Sequence, residues 1–262
     1  MRVFLFGALA LLGCQETVFP RVSAPKESPA LAWGRVLAKS VDSDGDVNYT
    51  YVRRHRRPLD DYVAWVARDS SLRFKSTANA HAFYLNTYNA LAIYQILERV
   101  DGGSVCDVPT FWPGRCSGPV WGTAFKVGDS TTSLWEIYNE RIIGAHQDIR
   151  DLAAMNPGVR SGPPVRGGLY TPDVLKEQLN EQMARWLRHK RRGVRIEEGV
   201  AVFNEVFDRY RFEIGLFTDN RDLCSLASVF TVGAKAKALS ELSEQGCPHR
   251  FSGFDRRLNE AK

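Results

Sequence analysis

The sequence predicts an α+β fold, a single α-rich domain carrying a small antiparallel sheet of short strands. Three observations lead there. Residues 76–98, STANAHAFYLNTYNALAIYQILE, form the longest stretch of helical periodicity free of Gly and Pro. Two β-type runs, VRIE and VAVF, flank Glu198-Gly199 and predict a hairpin. The 262 residues are 44% hydrophobic and 25% charged, with no internal repeat and no domain-scale linker, so one core accounts for them.

Taken in order, residues 1–13 read as a signal peptide. Arg2 precedes an apolar run from Val3 to Leu12. That run is shorter than the ~20 residues needed to span a bilayer but has the size of a signal h-region. It ends in Leu11-Leu12-Gly13-Cys14, which resembles the bacterial lipobox. The resemblance implies cleavage before Cys14, a lipid on its thiol and anchorage in the cell envelope. Gln15, in place of an Asp, points to the periplasmic face of the outer membrane. Residues 14–27 are polar and Pro-bearing and form a flexible tether; residues 28–262 form the globular domain.

A helix is expected over roughly 28–40, with Leu31, Val36 and Leu37 inward. In the next segment Asp42, Asp44 and Asp46 alternate as in a calcium loop. Val47 stands where that loop needs Gly, however, and Arg53 where it needs a bidentate Glu. A tight turn into a short strand, VNYTYV, is the better account. Pro58 opens a helix to about Arg68 with Leu59, Tyr62, Val63 and Val66 as its stripe. In the long helix Phe83, Leu85, Leu91, Ile93, Ile96 and Leu97 cover much of the circumference, which marks a core helix, and Ser76 or Thr77 caps it. Gly, Pro and Trp dominate 101–123. Ala124–Val127 reads as a strand and Gly128-Asp129-Ser130 as a turn. Ser133 and Glu136 supply a capping box for the helix SLWEIYNERII. Pro163-Pro164 and Gly167-Gly168 forbid regular structure in the following segment. Thr171-Pro172 then start a helix to about Lys190. Asn204 caps EVFDRYRFEI, and helices over about 221–231 and 234–245 close the chain.

With Cys14 lipidated, Cys106, Cys116, Cys224 and Cys247 remain, an even number in an oxidising compartment. Among three pairings the local one, Cys106–Cys116 and Cys224–Cys247, is preferred. No CxxC pair exists and no His has ligand spacing, so no metal site is predicted, and no cofactor is expected. The net charge of +5 suits an anionic partner without naming one. It concentrates in RRHRR (53–57) and RHKRR (188–192). Either run could meet lipid phosphates or an envelope polymer, but a solvated loop and a cationic helix end are the preferred account. No aromatics interleave with these runs, so nucleic acid is not an expected partner. Nothing in the sequence identifies a protein partner.

Asn86, Tyr88 and Asn89 are set into the apolar cylinder of the long helix. A buried carboxamide costs a few kcal/mol, roughly, unless hydrogen-bonded. Asn86 and Asn89 share a face, so they either tie loops to the core, the role expected here, or line a site. His81 lies ~140° around the helix from Asn86, on another face.

From Ala82 to Ile93 the helix reads AFYLNTYNALAI. Around it, in order, come Val41–Tyr49, SLWEIYNERII, AMNPGVRSGPPV and LYTPDVLKEQL. Over roughly 31–230 the chain thereby resembles the bacterial and plant family called domain of unknown function 547, for which the resemblance implies no established reaction. Where that family carries Glu and His, this chain has Tyr138 and Asn139. The family cysteines fall at Pro157 and Gly162, and a family His at Leu152. A Cys–His pair makes a nucleophile, and these positions no longer hold one. Asn86, Tyr88, Asn89, Asn156 and Ser161 remain as candidate binding residues, with Trp112 and Trp121 beside them. The leading expectation is therefore a membrane-anchored, non-catalytic binding or scaffold domain. One alternative is a hydrolase or transferase, papain-like or transglutaminase-like, rebuilt around Ser161 and His146 with Glu136 or Asp148. Ser161 in RSGPP lacks the strand-turn-helix setting of a nucleophile elbow. The other alternative is a structural envelope protein lying on anionic lipid.

Overall fold

A computed structural model describes residues 17–18, 28–68, 74–100, 122–217 and 222–262. Its elements run β1 (Thr17–Val18), α1 (Pro29–Ser40), α2 (Tyr49–Arg54), α3 (Arg57–Arg68), α4 (Thr77–Arg99), β2 (Ala124–Val127) and β3 (Ser130–Ser133). A composite helix follows: α5 (Leu134–Glu136), a π-helical segment (Ile137–Ile143) and α6 (Gly144–His146). Then come α7 (Asp151–Ala154), a 3-10 turn (Pro172–Val174), α8 (Leu175–Arg188), β4 (Val194–Glu197) and β5 (Val200–Asn204). Last are α9 (Val206–Arg209), α10 (Arg211–Phe217), α11 (Leu223–Val229), α12 (Gly233–Glu244) and β6 (His249–Ser252).

The layout is α+β, and α4 is its axis. The Ser76 hydroxyl caps α4 by accepting from the Asn79 N–H. Leu85, Leu91, Ile93 and Ile96 are buried around its whole girth, packed between α3 and the π segment. A helix ringed by apolar side chains has no solvent face, so it takes the centre of the fold. On α1 the inward position belongs to Trp33, which is fully buried, and not to Leu31, which is 65% exposed. The indole covers more apolar area than a leucine, and α1 rotates to bury it.

The strand expected at VNYTYV is instead helical. Val47 makes only isolated bridges to Val41 and Glu260. The Asn48 side chain accepts from the Tyr51 N–H and so caps α2. Local capping overrides the β preference of Tyr, Thr and Val. The acidic run before it is the expected tight turn, closed by the Asp46 N–H on Asp42 Oδ1 at 2.9 Å, with Gly45 at φ +78°.

Two three-stranded sheets replace the single antiparallel sheet. In one, β2 and β3 form an antiparallel hairpin, and β1 joins β2 in parallel through Thr17–Ala124 and Val18–Phe125. In the other, β4 and β5 pair across Glu198-Gly199 as expected, and β6 joins β5 in parallel. The capping box is present, with Ser133 Oγ and the Glu136 carboxylate satisfying each other's backbone N–H. Cys224 and Cys247 form the expected disulfide, tying α11 to the turn after α12. Cys14, Cys106, Cys116, Trp112 and Trp121 lie outside the described residues.

Candidate functional site

The asparagines act on backbone. Asn86 donates to the Tyr170 carbonyl and accepts from the Tyr170 N–H, both at 2.8 Å. Asn89 donates to the Ala154 carbonyl at 2.8 Å and accepts from the Asn156 N–H at 3.2 Å. Asn156 donates to the Pro163 carbonyl and accepts from the Gly158 N–H. Together they moor the irregular segment 154–170 to α4. Tyr88 is buried, and burial pushes its phenol pKa upward. The amides of Asn86, Asn89 and Asn156 are thus engaged with backbone inside the fold, and the Tyr88 ring is buried. Ser161 borders a cavity. Its Oγ accepts from the Asp255 N–H at 2.7 Å and from Asn204 Nδ2 at 3.3 Å. The structure does not pair it with His146.

A titratable cluster sits instead near the start of α4. His81 Nε2 lies 2.6 Å from Asp151 Oδ1. Asp151 is fully buried and its Oδ2 has no hydrogen-bond partner among the described residues. The His146 ring stacks on His81 with centroids 3.8 Å apart and planes 7° from parallel. Burial, then the neighbouring His81, lower the His146 pKa to about 4, so that ring is neutral above pH 5. Burial raises Asp151 to about 6 against the opposing pull of His81. Beside the cluster, Asn86 holds Tyr170. Its hydroxyl is buried without a hydrogen-bond partner among the described residues, and burial above all keeps it protonated.

Local chain geometry builds this cluster. In the π segment the Gly144 N–H reaches back five residues to the Asn139 carbonyl, which shifts the register of everything after it. Such segments are frequent at functional sites. Gln147 follows His146 in the left-handed region, at φ 52°. Asp148 then accepts from the Arg150 backbone N–H at 3.0 Å and guanidinium Nε at 2.8 Å. The resulting turn delivers Asp151 to His81. The pairing spans 70 residues, so no local spacing in the sequence announces it.

Stacked, near-parallel imidazoles direct their in-plane lone pairs side by side, so the two rings do not converge on one ion. Among the described residues, Asp222, Cys224 and Cys247 do meet at ligand spacing, but both sulfurs belong to the disulfide.

Fold and cluster together define an α-rich α+β domain with a His–Asp dyad at the head of its central helix. Residues 72–187 match a family model described as "Protein of unknown function, DUF547", so that stretch is similar to that family. The matched span is narrower than the 31–230 suggested by segment order. It contains the whole cluster, the three asparagine moorings and Ser161. No curated protein and no solved structure matches the chain.

Proposed function

We propose that this is a lipid-anchored envelope protein, on the periplasmic face of the outer membrane, whose DUF547 domain binds a small ligand at His81 and exchanges a proton with it. The anchor rests on Leu11-Leu12-Gly13-Cys14. The proton exchange rests on one observation, the 2.6 Å His81–Asp151 bond. An ionised Asp151 holds the proton on Nε2 and leaves Nδ1 as the basic edge, the orientation that suits an imidazole base. No hydroxyl or thiol hydrogen-bonds to His81 or His146 among the described residues, so the proton removed would come from the ligand or from water. This keeps the binding domain expected from the sequence and adds a base to it. The reading built on Ser161 and His146 loses its support, because those residues hold different partners.

The test uses p-nitrophenyl acetate as a reporter of an active imidazole, with the full chain between pH 5 and 8. The expected result is turnover that falls about 100-fold in His81→Gln and in Asp151→Asn, a typical share for a positioned base, and is unchanged in Ser161→Ala. Equal turnover in all four proteins would sink the proposal. For the anchor, mass spectrometry of the mature N-terminus is decisive: an unmodified Cys14 thiol excludes it.

A further inference from the structure

The run RHKRR ends α8 and does more than complement its C-terminus. Together with β4, β5 and the segment after β6, it walls a cavity of about 440 Å³. Five cations line that cavity: Arg160, Lys190, Arg191, Arg192 and Arg195. One carboxylate, Asp255, faces them. Arg257 grips it at 2.6 and 2.9 Å and holds its pKa below the usual carboxylate range. Acids just outside the lining pair with three of the cations, Asp44 with Arg191 at 3.8 Å, Asp46 with Arg192 and Glu197 with Arg195, so the positive excess rests chiefly on Arg160 and Lys190.

Three further features distinguish this cavity from a solvated basic face. Arg192 is 1% exposed and ion-paired with the buried Asp46, yet its Nε–H has no acceptor among the described residues. Arg160 donates through Nη2 to the Glu260 carbonyl at 2.8 Å and likewise has an Nε–H without an acceptor. Ser161 Oγ already accepts two hydrogen bonds, from the Asp255 N–H and Asn204 Nδ2. Its own proton is then free to donate to a guest. The other basic run, RRHRR, borders a cavity of about 400 Å³ with no serine in its lining, and acids meet its charges as Asp44, Asp46 and Glu197 meet Arg191, Arg192 and Arg195 here. Arg56 bonds Asp60 at 2.9 Å and pairs with Glu98, and Arg57 lies 3.7 Å from Asp61.

We propose that the Ser161 cavity is a binding site for a phosphate monoester. Such a group carries about −1.5 to −2 charges at neutral pH and three acceptor oxygens. It offers several guanidinium and ammonium donors more charge and one more acceptor oxygen than a singly charged carboxylate does. The volume suits a small phosphorylated molecule or the headgroup of a phospholipid. The site is independent of the His81 cluster.

Calorimetry with the full chain and glycerol 3-phosphate tests the claim. Two variants leave the fold intact: Lys190→Glu alters an exposed side chain, and Gly253→Asp puts a carboxylate at a cavity-lining position where an added Cβ meets nothing within 4 Å. Each should weaken binding at least tenfold with an unchanged melting temperature. Vesicles doped with phosphatidic acid, a lipid monoester, should capture the protein more strongly than vesicles of equal charge made with phosphatidylglycerol, a diester. Capture by phosphatidic acid together with glycerol 3-phosphate binding, or in place of it, assigns the site to a lipid headgroup. Binding of glycerol 3-phosphate alone assigns it to a soluble ester. The proposal fails if neither monoester binds, if both variants bind as the parent does, or if both lipids capture the protein and do so equally.

Discussion

Asn86 grips the peptide unit of Tyr170 with both ends of its amide, each hydrogen bond 2.8 Å long. Replacing it with Ala leaves a backbone donor and acceptor unpaired in a largely closed site. We expect Asn86→Ala to lower unfolding free energy by about 2–4 kcal/mol, read from urea denaturation. A loss below about 0.5 kcal/mol would show that water replaces the clasp freely.

The His81 cluster predicts opposed pH dependences. The folded-state pKa of Asp151, about 6, lies above its ordinary value of 3.8. Its contribution to stability therefore declines as pH rises from about 4 to about 6. The folded pKa of His146, about 4, lies below 6.5. Its contribution is present above pH 6.5 and is lost as pH falls toward 4. The two slopes offset each other in the wild type. In Asp151→Asn, stability should climb more steeply with pH between 4 and 6.5, and in His146→Gln it should climb less or fall. Melting temperatures across that range check both; parallel curves for all three proteins would contradict the assignment.

Gly45 is required by backbone conformation and by space together. Its φ is +78°, and a Cβ there would lie 2.5 Å from Pro164 Cβ and 2.7 Å from its Cα. Gly45→Ala should cost about 2 kcal/mol or more, from left-handed strain plus the clash. A melting temperature equal to the parent's would contradict this.

The Cys224–Cys247 bond closes a loop of sequence separation 23 onto the buried end of α11. Replacing both cysteines with Ser should destabilise the domain by about 2–4 kcal/mol. The change should appear in denaturant midpoints of the oxidised protein and vanish when parent and variant are compared under full reduction.

Much of the fold was legible because its signals are local. The Ser76 cap, the Ser133–Glu136 box and the Glu198-Gly199 turn each depend on neighbours a few residues away, and all three occur as read. VNYTYV misled because its strand propensity competes with the capping oxygen of Asn48, and the cap prevails. β6 escaped notice because HRFS becomes a strand only by lying parallel to β5, more than 40 residues earlier in the chain.

The sequence by itself determined the core helix and the basic character of residues 188–192, and it favoured the Cys224–Cys247 pairing and the mooring role of the asparagines. Each follows from periodicity, composition or the cost of burying an amide. Only tertiary structure decided which polar groups form sites. A Ser161–His146 pair was one alternative, yet Ser161 lines a cavity together with Arg160 and Lys190. His81 looked like an isolated helix residue, yet it meets Asp151 from 70 positions away. A site is a set of distances, and the π segment, the left-handed Gln147 and the Asn86 clasp set those distances through contacts that sequence spacing does not encode.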